Sequence, residues 1–192
     1  RQDWPGYRDS RPVRFGNAAR DQHQLDGYGW VLDGAWQLVR AGHRLYGETW
    51  RALSAFTDFA ATRWPDPDAG IWEIRGPSRH YVHSKLMAWL ALDRALRIAA
   101  THRTSSRRQR RWRHARAALG RAILTRGVDP NRPALVRTFD DAELDSALLL
   151  APLVGIIDPD SAVIVGTVDA IRRELSDGPF VYRYPPGHDG LT

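Results

Sequence analysis

Residues 78–102, Ser-Arg-His-Tyr-Val-His-Ser-Lys-Leu-Met-Ala-Trp-Leu-Ala-Leu-Asp-Arg-Ala-Leu-Arg-Ile-Ala-Ala-Thr-His, decide the fold class. Val82, Leu86, Trp89, Leu90, Leu92, Leu96 and Ile98 cover more than half of a helical circumference. A helix apolar over so wide an arc must be well buried among other elements. On its N-terminal side, Leu25, Tyr28, Leu32, Trp36 and Val39 predict a helix over about 17–41, with Asn17 as candidate N-cap and Gly42 as stop. Trp50, Leu53, Phe56 and Phe59 predict another over 48–63, ended by Pro65. On the C-terminal side, helices are expected over 106–126, 141–152 and 160–175, the last two joined by the turn from Gly155 to Pro159. Only Ile71–Arg75, inside a Pro- and Gly-rich loop from Trp64 to Pro77, is β-like. Six helices separated by loops make an all-α antiparallel array of helical hairpins.

Composition agrees with a folded chain. With 192 residues, 43% hydrophobic and 26% charged, the sequence fits one globular domain or a large piece of one. It contains no cysteine, which excludes disulfides, thiolate nucleophiles and Cys-based zinc sites. Of the 28 basic residues only Lys85 is a lysine, and against 22 acidic residues the formal charge is +6. That excess fits either an anionic partner or a surface that is merely arginine-rich. The longest apolar run, Ala147–Ile157, is interrupted by Pro152 and Gly155 and falls short of a membrane span. A cytoplasmic protein without a membrane partner is expected. Met87 is the only methionine and residues 1–9 are polar, so the chain reads as an internal fragment; Gly187–Thr192 reads as a loop that stops before its next element.

The sharpest local feature is the loop Asp66-Pro-Asp-Ala-Gly-Ile-Trp-Glu-Ile-Arg-Gly76. If Ile71, Trp72 and Ile74 pack around Glu73, desolvation raises its pKa toward the range of a general acid. The other reading is a loop carboxylate paired with Arg75 or Arg79. Trp64, Trp72, Tyr81 and Trp89 lie in or after this loop, and aromatic rings beside polar groups grip sugars. Trp89, on an apolar helical face, is expected in the core, while Trp72 stays open. His80 and His83 are three apart, but no nearby carboxylate completes a ligand set, and no metal site is expected. Arg107–Arg116, Arg-Arg-Gln-Arg-Arg-Trp-Arg-His-Ala-Arg, with Trp112 interleaved, could meet the phosphates of nucleic acid. Because basic residues fill nearly every position rather than one stripe, a solvated outer helix face is the preferred reading. No Gly-rich phosphate loop or Ser nucleophile elbow is present.

Several motifs in fixed order carry a resemblance. They are Arg11-Pro-Val-Arg-Phe-Gly-Asn-Ala-Ala19, Gln24-Leu-Asp26 with Gly29, Gly70-Ile-Trp-Glu-Ile-Arg-Gly76, and Arg79-His-Tyr-Val-His-Ser-Lys85 with Trp89 and Leu92-Asp-Arg-Ala95. Leu144-Asp145 with Leu148-Leu-Leu150, Phe180-Val-Tyr-Arg-Tyr184 and Asp189-Gly-Leu191 continue the series. Together they resemble the bacterial glucoamylase and trehalase-like members of glycoside hydrolase family 15, over nearly the whole chain.

The resemblance implies that residues 1–192 are part of a catalytic domain, an incomplete (α/α)6 toroid (six-hairpin glycosidase) whose active site lies at one end among the connecting loops. It implies inverting hydrolysis of an α-glucoside: trehalose, maltose or a longer α-glucan. Glu73 would be the general acid. Trp72, Arg75, Arg79 and Lys85, with Arg14 and Asn17 from the first motif, would line or support the sugar pocket. Ile74 stands where fungal glucoamylases carry a second Glu. The family's Arg-Asp glucose clamp and its general base would lie outside this chain. An inverting enzyme needs two carboxyls roughly 6.5–9.5 Å apart, so the 192 residues are expected to be inactive alone. The residues suggest no cofactor, and phosphate and magnesium would enter only in a trehalase-like member. Half a toroid would leave the flanks of the helices at 18–41 and 78–102 uncovered.

Overall fold

A computed structural model describes residues 4–13, 16, 18–74 and 76–187. Its six α-helices are α1 Asp26–Arg40, α2 Gly47–Arg63, α3 Val82–Ile98, α4 Ser106–Arg126, α5 Ala151–Val154 and α6 Ala162–Glu174. A small hairpin, β1 Ser176–Asp177 and β2 Phe180–Val181, is the only strand pairing beyond isolated bridges among the described residues. None of the described helices is long and apolar enough to cross a membrane.

Helix α3 is the axis of the core, and of its 17 residues only Arg97 is exposed. Helix α1 packs along one side of it. Gly29 lies so close that an added Cβ would sit 2.5 Å from the Met87 carbonyl oxygen. Farther along, Arg94 Nε donates to Asp33 at 2.7 Å and the Arg97 guanidinium lies 5.9 Å from the Trp36 ring. These contacts advance in the same direction on both helices, so α1 and α3 are parallel. Helix α4 runs back against α3: Gly127 meets Val82, Gly120 meets Trp89, and Arg116 pairs with Asp93 at 2.7 Å. Helix α2 joins α1 through Tyr28 against Phe56 and Phe59, and α4 through Trp50 edge-on to Trp112 at 6.1 Å. The parallel pair thus begins at one end, where the segments entering α1 and α3 meet the loop after α4.

Buried Asp93 ties this arrangement together electrostatically. It accepts from Arg94 Nη1 (2.8 Å), Arg97 Nε (2.6 Å) and Arg116 Nη1 (2.7 Å), joining α3 to α4, while Arg94 reaches on to Asp33 of α1.

Several expectations change. The first long helix starts at Asp26, because Gln22–Leu25 spend their polar groups on the 66–74 loop instead of an i to i+4 ladder; Asn17 lies outside the described residues. Helix α3 starts at Val82, since Arg79 and Tyr81 are held in bridges to Asp68 and Thr138. The region 141–152 is helical only from Ser146: a tight 3-10 turn, Ser146–Leu150, runs into α5, and Asp145 caps it by accepting from Ala147 N. Residues 71–73 form turns, not a strand, because Glu73 has φ +51°, incompatible with extended backbone. The C-terminal stretch from residue 188 lies outside the described residues.

The expected bare flanks are found on α1, where Trp30, Val31 and Leu38 are about half exposed. They are not found on α3, whose second side is covered by the 146–154 segment through Leu148, Ala151 and Val154.

Candidate active site

The loop between α2 and α3 is tethered from every side at the shared start of α1 and α3. Asp68 and Arg79 exchange two backbone hydrogen bonds of 2.9 Å, which close the loop at its base. Residues 22–25 then run alongside it. Asp68 Oδ2 accepts from Leu25 N at 3.0 Å, Ala69 N donates to the His23 carbonyl at 2.8 Å, Gln24 Nε2 donates to the Gly70 carbonyl at 3.1 Å, and Gln22 Nε2 to the Ile74 carbonyl at 3.4 Å. Gly70 is required here: it has φ +70° and a Cβ would lie 2.8 Å from the buried Tyr81 ring.

Glu73 crowns this loop. Its φ of +51° is a left-handed conformation that costs a non-glycine residue about 1–3 kcal/mol and persists only when its surroundings over-determine it. The surroundings do so from two sides. Gln24 Nε2 donates to Glu73 Oε1 at 3.3 Å. The preceding Trp72 donates its indole Nε1–H to both oxygens of Asp145, at 2.9 and 3.1 Å, with the Arg183 guanidinium 5.2 Å from the ring centre. Gln24 leaves Glu73 Oε2 unengaged among the hydrogen bonds of the site, and the side chain is exposed. The expected enclosure of this carboxyl by Ile71, Trp72 and Ile74 is therefore not present: all three are only half-buried, and the turn lifts the carboxyl outward.

Beneath the loop the chemistry is desolvated. Asp26, at the first turn of α1, is buried with one oxygen lacking a protein partner; burial pushes its carboxyl up, with the Asp68 and Glu73 carboxylates adding to the effect. Burial also raises Asp145, against the lowering effect of the hydrogen bonds from Trp72 and Ala147. Lys85 is fully buried, and its Nζ donates to the Asp66 carbonyl at 2.6 Å; burial lowers it to about 8, opposed by Asp68 and Asp66.

The candidates from the sequence separate accordingly. Glu73 and Trp72 stand together on the outer side of the loop. Arg79 is half-buried and pairs with Asp141 at 3.0 Å rather than with Glu73. Lys85 braces the loop from below. Arg14, Asn17 and Arg75 lie outside the described residues. Trp64 and Trp89 pack against the core, and Tyr81 lies within it. His80 stacks on Phe139 at 6.0 Å while His83 is buried, and among the described residues no three His, Asp or Glu side chains are grouped as a metal site would require. Gln24, inside the motif around Arg11–Asp26 expected to line or support the pocket, and Asp145, in a motif with no expected role, have partners 49 and 73 residues away that leave no mark in a single sequence.

Much of the basic helix is engaged within its own fold. Trp112 is fully buried and donates to Asp58 Oδ1 at 2.7 Å, so it offers no face to a nucleobase. Arg108 and Arg111 pair with the same Asp58, Arg113 bonds Gln109, and Arg116 bonds Asp93.

In sequence the chain is similar to several trehalases. A trehalase of Mycolicibacterium smegmatis is 38% identical over 179 residues, covering 93% of this chain and 26% of that protein. A trehalase of Thermoplasma volcanium is 31% identical over 189 residues, 98% of this chain and 30% of that protein, and Trehalase 2 of Sulfolobus acidocaldarius is 33% identical over 195 residues, 99% and 33%. The chain thus spans about a quarter to a third of the length of these relatives. No solved structure matches. The glycosyl hydrolases family 15 profile matches residues 2–190, and the chain, with its Trp-Glu loop held over paired helix starts, belongs to that family.

Proposed function

We propose that this chain is the acid-bearing portion of an inverting α-glucoside hydrolase, built as part of a six-hairpin toroid, with Glu73 as general acid. The observation that carries the reading is the strained, exposed Glu73, held through Oε1 by Gln24 and through its neighbour Trp72 by Asp145. Strain of this kind is concentrated at functional sites. The free oxygen protonates the leaving glycosidic oxygen. Trp72 and Arg79 contact the sugar, Lys85 supports the loop through the Asp66 carbonyl, and the family resemblance adds Arg75, Arg14 and Asn17 as further sugar-binding residues. The half-exposed apolar side of α1, with Trp30, Val31 and Leu38, is where the toroid would continue. A second carboxyl, about 6.5–9.5 Å from Glu73 and across a water, comes from the part of the relatives' length that this chain does not cover.

The names of the relatives favour trehalose as substrate over maltose or longer α-glucans. Nothing in the geometry favours nucleic-acid binding by Arg107–Arg116.

The test uses the complete polypeptide that carries this segment, assayed for glucose release from trehalose and maltose. Glu73→Gln is expected to lower kcat by about 10²–10⁴, and the attacked glucose is expected to appear first as the β anomer. A Glu73→Gln enzyme at the wild-type rate, or release of both glucoses of trehalose as the α anomer, overturns the assignment.

A further inference from the structure

We infer that Asp145 is a positioning residue for the acid, acting through the Trp72 indole; the inference rests on the reading of Glu73 above. Asp145 is 2% exposed and touches neither Glu73 nor open solvent. A carboxylate taken out of water must be matched by donors to be tolerated, and its donors are specific. Oδ1 accepts from Trp72 Nε1 at 2.9 Å and from Ala147 N at 2.8 Å, and Oδ2 accepts from Trp72 Nε1 at 3.1 Å.

The carboxyl is itself rigidly mounted. Leu144, Ala147 and Leu148 on either side are buried in the core, Asp145 caps the turn that begins at Ser146, and Ser146 N is bonded to the Arg183 carbonyl at 2.8 Å. Arg183 returns its guanidinium to the Trp72 ring. The indole is therefore held at its N–H edge by one side chain and over its ring by another. Trp72 and Glu73 share a peptide unit, so an indole that cannot turn restricts the ψ of Trp72 and, through it, the left-handed φ of Glu73. Gln24 and Gln22 tether the opposite side of the same turn. With Asp145 removed, the indole keeps only the Arg183 guanidinium over its ring, which does not fix its rotation, and the acid can relax toward ordinary backbone. A displacement of about 1 Å at a reacting group costs on the order of 10²-fold in rate.

The test compares Asp145→Ala, Asp145→Asn, Trp72→Phe and the double variant Asp145→Ala/Trp72→Phe in the complete polypeptide, with Glu73→Gln beside them. Asp145→Ala is expected to lower kcat about 10–100-fold with KM changed less than about threefold. Asp145→Asn, which keeps an acceptor for both the indole and Ala147, should restore most of the rate and also guards against loss of folding. In the Trp72→Phe background, Asp145→Ala should cost little more, because its route to the acid is already gone. The Trp72 indole N–H resonance, assigned by its loss in Trp72→Phe, should move upfield in Asp145→Ala. Wild-type kcat in Asp145→Ala, an undiminished effect in the Trp72→Phe background, or an unmoved indole resonance overturns the inference. Activity surviving Glu73→Gln overturns the reading of the acid instead, while the indole resonance still judges the Asp145–Trp72 link by itself.

Discussion

Histidine 83 makes the stability of this fold depend on pH in a calculable way. It is the second residue of α3, 2% exposed, with no protein hydrogen-bond partner at either ring nitrogen. Burial alone pushes its pKa down from the usual 6.5 to about 4, and the positive end of the helix dipole also disfavours an imidazolium there. The folded protein therefore refuses a proton that the unfolded chain accepts. Above pH 6.5 both states carry neutral His83 and it adds no pH dependence. As pH falls from 6.5 toward 4 the unfolded state is favoured, and below 4 the loss levels off. From the two values, the loss is about 2 kcal/mol at pH 5 and about 3 kcal/mol at its limit. Asp26 and Asp145, raised by burial, act in the opposite direction in their own range, so wild type alone does not isolate the effect. Urea denaturation at pH 7.5, 6 and 5 should be run on wild type, His83→Leu and His83→Gln. The variants are expected to gain on wild type by about 2 kcal/mol between pH 7.5 and pH 5. A wild-type-to-variant difference constant to within about half a kcal/mol over that range would refute the account of His83 as a buried neutral ring.

Other consequences follow from the packing. Asp93→Ala leaves Arg94, Arg97 and Arg116 without their common acceptor and should destabilise the fold by about 3–5 kcal/mol, read as a lower urea midpoint at unchanged m-value. Gly29→Ala drives a methyl into the Met87 carbonyl, so α1 and α3 must separate; a loss of about 1–3 kcal/mol or more is expected by thermal denaturation. Gln24→Ala removes the side-chain donor to Glu73 and Gly70. In the complete polypeptide it should lower kcat by up to about tenfold with KM nearly unchanged, since a hydrogen bond to the protonated acid is worth about 0.5–1.5 kcal/mol.

The arginine excess takes on a different meaning once the chain is folded. Composition allowed an anionic partner, but Arg94, Arg97 and Arg116 converge on Asp93, Arg108 and Arg111 on Asp58, and Arg137 on Glu143. Trp112, interleaved in the sequence among arginines expected on a solvated face, is a core residue bonded to Asp58. The helical stripe had room for both readings, since a lone tryptophan among arginines is equally a base platform or a packing residue. Only the position of α2 beside α4 separates them.

What the sequence determines by itself is whatever depends on neighbours along the chain. Helical spacing located α2 and α4 to within a residue at each end, and the ordered motifs identified the family and singled out Trp72 and Glu73. Periodicity could not see that Gln22–Leu25 leave the helix to strap a loop some 45 residues away, nor that Ser78–Tyr81 stay extended in bridges to Asp68 and Thr138. It also could not see that Glu73 stands exposed on a left-handed turn instead of enclosed by Ile71 and Ile74. Those outcomes are set by hydrogen bonds between distant residues, which outweigh local helical or extended preferences of a fraction of a kcal/mol per residue. The chain therefore singles out Glu73 as the proposed acid, whereas the fold decides how that side chain is held: by Gln24 on one side and by Asp145, through an indole, on the other.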